Sequence, residues 1–206
     1  MRTVIWYFDF ISPFAYICLH RLKELPAEVA IEYRPVLFAG ILNHWGQKGP
    51  AELATKRRYT YRWSHWWARS LGIPLRYPAA HPFNPLHHLR LAIACGCRPE
   101  AIGTIFDDIW TTGADASNPE RFAALSKKLG VGDIGQEVKD TLKKNTDEAL
   151  QRGVFGVPTF EVGGELFWGA DSIGFLKAYL QDPAVVKNAE MLRLDGLPVA
   201  AARRTT

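Results

Sequence analysis

Residues Trp6–Leu22 read WYFDFISPFAYICLHRL. An apolar run stops at Ser12, Pro13 follows, and a helical spacing of apolar side chains begins. Val4–Phe10 is rich in aromatic and β-branched residues, with Asp9 its one charge, and predicts a buried strand. Ser12 is a good helix N-cap, and Pro13 suits the first helical position, where a missing N–H costs nothing. Phe14, Ile17, Leu19, Leu22 and Leu25 supply the apolar face of that helix. Val29–Pro35 (VAIEYRP) then alternates as a second strand, so the chain opens as a βαβ unit with a parallel pair. The hydroxyl at the junction has two readings. Ser12 is only a cap, or it and the helix N-terminus together make a site for an anion.

Downstream of this opening, strand signals stop for over a hundred residues. Helical patterns cover about Pro50–Leu71, Leu86–Cys95, Ala101–Thr111, Asn118–Gly130 and Ile134–Arg152. Strands return as PTFEV and ELFW around Gly163-Gly164, which predicts a hairpin. Asp171 or Ser172 caps a further helix through Leu180, and one more short helical stretch lies past Pro183. The closing AARRTT, residues 201–206, is expected to fray. Without the middle block the order is βαβ–ββα. The fold class is therefore α/β, a thioredoxin-like fold with a large all-helical insertion between its halves. The expected division is residues 1–36 and 151–206 as the thioredoxin-like domain, with 37–150 as the inserted helical domain.

The 206 residues are 48% apolar and 22% charged, an ordinary globular composition that can bury a core. No run of 18 apolar residues exists, and the N-terminus lacks a signal-peptide pattern. Cys18, Cys95 and Cys97 are an odd set without Cys-x-x-Cys, which argues against a disulfide framework or a zinc site and favours the cytoplasm. The net charge of +4 and the stretch KRRYTYRWSHWWARS invite a nucleic-acid reading. The spacing of Tyr59, Trp63, Trp66 and Trp67 instead predicts a buried aromatic stripe on a helix with a solvated basic face. His81, His87, His88 and Asp107-Asp108 have no metal-ligand spacing and read as surface groups or caps.

Three stretches carry chemistry: FISPFAY, VFGVPTF and FWGADS. Where a thioredoxin-like redox protein has Cys-x-x-Cys, this chain has Ser12-Pro13-Phe14-Ala15, so its own cysteines cannot perform dithiol exchange there. Val157-Pro158 stands just before a strand, as the cis-proline loop of that fold does; a trans proline entering an edge strand is the plainer reading. Gly169 allows an unusual backbone angle, and Asp171 sits at a helix start, where it could be no more than a cap.

Together, FDFISPFAY, VFGVPTF and FWGAD, with GIPLRYPAAHPFNP at residues 72–85, resemble the 2-hydroxychromene-2-carboxylate isomerases over about residues 3–181. These are relatives of the kappa-class glutathione transferases with the fold of the disulfide oxidoreductase DsbA. The resemblance implies glutathione as cofactor, with its thiol beside Ser12 and its backbone paired with Val157 before Pro158. It places the γ-glutamyl end near Trp168, Gly169, Ala170, Asp171 and Ser172, with Asp171 accepting from the ammonium. It also implies a glutathione-dependent isomerisation of 2-hydroxychromene-2-carboxylate-like intermediates. Ser12 reads as a hydrogen-bond donor to the sulfur, since no neighbouring base would make it a nucleophile.

Many relatives carry a lysine in the loop after the second strand, and this chain has Asn43 in GILNHWGQKGP. Asn43, Gln47, Lys48 and Asn84 are the candidate substrate-facing groups; the alternative is that His44-Trp45 and Lys48 are ordinary loop residues. The rival readings are a kappa-like transferase, a redox protein and a glutathione-binding module without catalysis. The expected partners are a small aromatic substrate and a second copy of the chain, with no nucleic acid, membrane or metal.

Overall fold

The computed structural model describes residues 2–201. The expected fraying of residues 201–206 falls almost wholly outside them. In chain order the elements are β1 (Arg2–Phe8), α1 (Pro13–Arg21), β2 (Val29–Pro35), α2 (Phe38–His44), α3 (Ala54–Ser70), α4 (Leu86–Ala94) and α5 (Pro99–Trp110). They continue with α6 (Pro119–Lys128), α7 (Gln136–Gln151), β3 (Thr159–Val162), β4 (Glu165–Trp168), α8 (Ile173–Gln181) and α9 (Ala189–Asp195), with 3-10 turns at Leu22–Glu24, Ala170–Ser172 and Pro183–Val186. Among the described residues no strand interrupts the helices between β2 and β3.

The four strands form one sheet in the order β2-β1-β3-β4. β1 runs parallel to β2, from Arg2 opposite Val29 to Phe8 opposite Pro35. β3 is antiparallel to β1 and to β4. The period of two along β1 sorts its side chains between two cores. Val4, Trp6 and Phe8 enter a large cluster with α1, α4, α5 and α8, while Tyr7 enters a smaller one with Val36, Ile41, Ala149, Val154 and Val157. Phe106 of α5 is fully buried at the centre of the large cluster, with its ring centroid 5.7 Å from Phe8, 4.5 Å from Phe10 and 6.1 Å from Tyr16. Helical and sheet residues thus share one continuous core.

Several sequence expectations are corrected. β1 ends at Phe8, two residues early, because the Asp9 side chain accepts from Ile11 N–H at 3.1 Å and bends the chain there. Residues 38–44 form α2 where a loop was expected. α1 buries more than one face: Ala15, Tyr16, Ile17 and Cys18 are all buried, since the helix lies between the sheet and the helices. The aromatic stripe of α3 is not buried as a set. Ser64 and Ala68 are the buried residues, and their small side chains let α3 approach closely. Trp63 and Trp67 flank that contact and pack on Phe14 at 5.2 and 6.5 Å, whereas Tyr59 and Trp66 are 67% and 63% exposed. His88 is buried rather than at the surface, and burial lowers its imidazole to about 4.

Candidate active site

The sheet order brings the three motifs together. Tyr7 pairs with Thr159, and continuing that antiparallel register sets Val157 beside the turn after β1 that leads to Ser12. Thr159 in turn pairs with Trp168, and Gly169 N–H donates to Pro158 C=O at 2.9 Å. The segments carrying Ser12, Val157-Pro158 and Trp168–Ser172 therefore meet at one end of the sheet.

Ser12 caps α1 as its sequence predicts: Oγ accepts from Ala15 N–H at 3.2 Å, and Pro13 occupies the first helical position. Among the described residues the hydroxyl has no acceptor for its own proton. The Val157–Pro158 bond is cis, and no hydrogen bond among the described residues engages Val157 N–H or C=O. Both Val157 backbone groups and the Ser12 proton are thus without a partner among the described residues, in segments that meet at the same end of the sheet.

The third segment is shaped by two glycines. Gly169 has φ +95°, a left-handed backbone that disfavours a side chain. A Cβ on Gly156 would lie 2.5 Å from Trp168 Nε1, so the indole covers that glycine closely, with Phe155 at 5.2 Å from its ring. Asp171 is exposed and lies in the 3-10 turn, not at the N-cap of α8; Ser172 holds that position and bonds Gly169 C=O instead of a helix N–H. Asp171 is thus free of the capping role its sequence position suggested. Arg21 braces this turn: it donates to Ala170 C=O at 2.6 Å, pairs with Glu24, and lies 5.5 Å from the Trp67 ring centroid.

The loop before Ser12 is held by residues that sequence reading assigned no such role. His81, expected at the surface, is half-buried, and its Nε2 lies 2.8 Å from Ile11 C=O. A carbonyl only accepts, so Nε2 carries the proton. Tyr61 OH lies 2.6 Å from Nδ1, and burial holds the imidazole below its ordinary pKa. His81 is therefore a committed donor and no base for Ser12. Trp110 donates from its indole to Phe10 C=O at 2.9 Å. HPFNP can form neither helix nor ladder, but nothing in the sequence marks His81 as the partner of Ile11, 70 residues away.

Asn43, Gln47 and Lys48 are exposed on the last turn of α2 and the loop after it. Trp45 ties that loop to Val154 C=O at 2.9 Å, which sets it on the Val157 side. Asn84 is exposed and accepts from Leu86 N–H at 3.1 Å, ahead of α4. No hydrogen bond among the described residues joins these four to Ser12 or to the 168–172 turn. Asp108 is paired with Arg121 at 2.7 Å, and Asp107 lies 3.5 Å from Tyr16 OH. The described residues hold no group of three His, Cys, Asp or Glu arranged for a metal, and no helix long and apolar enough to cross a membrane.

A thioredoxin-like sheet, a helix starting just past the end of its central strand β1 and a cis-proline loop beside it define the class, and residues 3–181 match the model of the DSBA-like thioredoxin domain. Within that class the chain belongs to the 2-hydroxychromene-2-carboxylate isomerase family. It is 30% identical over 196 residues to 2-hydroxychromene-2-carboxylate isomerase of Sphingobium xenophagum, across 88% of this chain and 99% of the relative. A solved 2-hydroxychromene-2-carboxylate isomerase superposes with a TM-score of 0.75 at 26% identity, covering 92% of this chain and 98% of its own. Glutathione S-transferase kappa 2 of Caenorhabditis elegans is 23% identical over 209 residues, 88% of this chain and 93% of its own.

Proposed function

We propose that this chain is a glutathione-dependent isomerase acting on 2-hydroxychromene-2-carboxylate or a close aromatic relative, working in the cytoplasm. The observation that carries the reading is the convergence of three segments: one with a serine hydroxyl whose proton has no acceptor among the described residues, one with a Val157 amide that has no partner there, and the Trp168–Ser172 turn, with no cysteine among them. The free state of all three cysteines is consistent with a reducing compartment.

These residues fit a thiol tripeptide. Val157 N–H and C=O offer strand-like pairing to an extended peptide. Asp171, exposed beside Gly169, accepts from the γ-glutamyl ammonium. Pro158, Trp168, Ala170 and Ser172 complete that wall. Ser12 Oγ and the first turn of α1 face the sulfur and favour its thiolate. When bound, glutathione supplies a thiol that adds to the unsaturated substrate and leaves after rotation about the former double bond, so it is regenerated. Asn43, Gln47, Lys48 and Asn84 line the substrate side. A glutathione transferase acting on another hydrophobic electrophile is the second reading, favoured by the kappa-class relative and by Asn43 where many isomerase relatives carry a lysine.

Turnover of 2-hydroxychromene-2-carboxylate with and without reduced glutathione tests the proposal. Product is expected only with the thiol, and equal rates without it would overturn the reading. Accumulation of a stable conjugate would favour the transferase. Asp171→Ala is expected to weaken glutathione binding about fivefold, the scale of an exposed ion pair, with turnover retained at saturation. Emission of Trp168, 55% exposed beside the site, provides the titration signal.

A further inference from the structure

Asp9 is completely buried, and both of its carboxylate oxygens are in use. Oδ1 accepts from Ile11 N–H at 3.1 Å and Oδ2 from Phe38 N–H at 2.9 Å, while its own C=O accepts from Ser12 N–H at 3.1 Å. Phe38 opens α2, a helix with no side-chain cap of its own, so Asp9 fills that role from 29 residues away. Ile11 C=O and Phe10 C=O are held by His81 and Trp110. Two successive peptide units ahead of Ser12 are therefore fixed at both ends, and Asp9 supplies one end of each.

A buried carboxylate without a counter-charge is costly. Burial raises Asp9 to about 7, against the favourable N–H groups of Phe38, Ile11 and Phe10. The charged groups of the surrounding elements are paired elsewhere: Glu161 of β3 with Tyr7 and Arg152, and Glu148 of α7 with Arg34 of β2. His81 is spent on Ile11 and Tyr61, and Thr146 of α7 on Leu37 N–H. Ile11 N–H and Phe38 N–H bind different oxygens, so an asparagine in the same place would turn its NH2 toward one of them and leave that N–H unpaired. The residue type that satisfies both is the one that burdens stability, which points to a role in function.

We propose that Asp9 is a positioning residue: its carboxylate holds the loop carrying Ser12 to the start of α2, so that the serine hydroxyl and the α1 N-terminus present a fixed target to the glutathione sulfur. This rests on glutathione being the ligand. Asp9→Asn is expected to lower turnover at saturating glutathione about ten- to a hundredfold, the effect of a lost charge-assisted hydrogen bond. The glutathione dissociation constant is expected to stay within about threefold, since Val157 and Asp171 hold the tripeptide. The ultraviolet absorbance of the bound thiolate is expected to titrate at higher pH in the variant.

The stability sign is opposite. A carboxyl raised in the folded state contributes stability below its ordinary range and loses it as pH rises through about 7, so wild type is expected to lose melting temperature relative to Asp9→Asn across that window. Should the variant not fold, the amide signals of Ile11 and Phe38 in the wild-type protein decide the matter: they are expected to titrate together near pH 7. Unchanged turnover and thiolate titration in Asp9→Asn, or amides that titrate separately or not at all, would overturn the inference. Failure of wild-type protein to bind reduced glutathione would instead sink the functional reading beneath it.

Discussion

Ser12→Ala is expected to cut glutathione-dependent turnover about ten- to a few hundred-fold, because a hydrogen bond to a charged group contributes roughly 1.5–3 kcal/mol. The hydroxyl already accepts from Ala15 N–H, so its proton is the part available to a ligand. Loss of that donor raises the pKa of the bound thiol, while the first-turn N–H groups of α1 remain and keep some thiolate stabilisation. Glutathione affinity is expected to change little, the reverse of Asp171→Ala. A serine that only starts the helix makes another forecast: about 1 kcal/mol lost in stability with full activity per folded molecule. Melting temperature and turnover, measured on the same preparation, separate the two. His81 cannot rescue the variant as a base, since its protonated nitrogen is bound to Ile11 C=O.

Phe106→Ala is expected to destabilise the fold by about 3–5 kcal/mol, the range for a fully buried aromatic whose site does not collapse. Phe106 belongs to α5, yet its ring meets Phe8 at the end of β1, Phe10 in the turn after it and Tyr16 of α1. Removing it opens a cavity directly behind the Ser12 loop. Chemical denaturation is expected to show a lower midpoint in one transition that includes both helical and sheet signals. A helical block that unfolded separately, with the sheet transition unmoved, would contradict the shared core.

The corrections share a cause. The Ser12 cap, the Gly163-Gly164 hairpin and the strand Val29–Pro35 are set by neighbours within a few residues, and these appear where expected, although Val29–Arg34 are all half-buried rather than alternating. The α3 aromatics failed because periodicity identifies a face without saying which part of it meets a partner; the contact went through Ser64 and Ala68. Spacing left the start of α8 open between Asp171 and Ser172; a 3-10 turn moves it past Asp171, and Ser172 holds the N-cap position without a side-chain bond to the helix.

Local chemistry determined the βαβ and ββα halves, the helix opening at Ser12-Pro13, the absence of a redox pair there and the glycine turn at 169. Each depends on backbone propensity and short-range hydrogen bonding, which a linear chain displays directly. Tertiary structure alone decided that His81 and Trp110, 70 and 100 residues away, hold the carbonyls ahead of Ser12, and that Asp9 caps α2. The reason is that a turn between a strand and a helix leaves backbone groups without local partners. Those groups take donors and acceptors from whichever packed element lies against them, and that is settled only when the core around Phe106 closes.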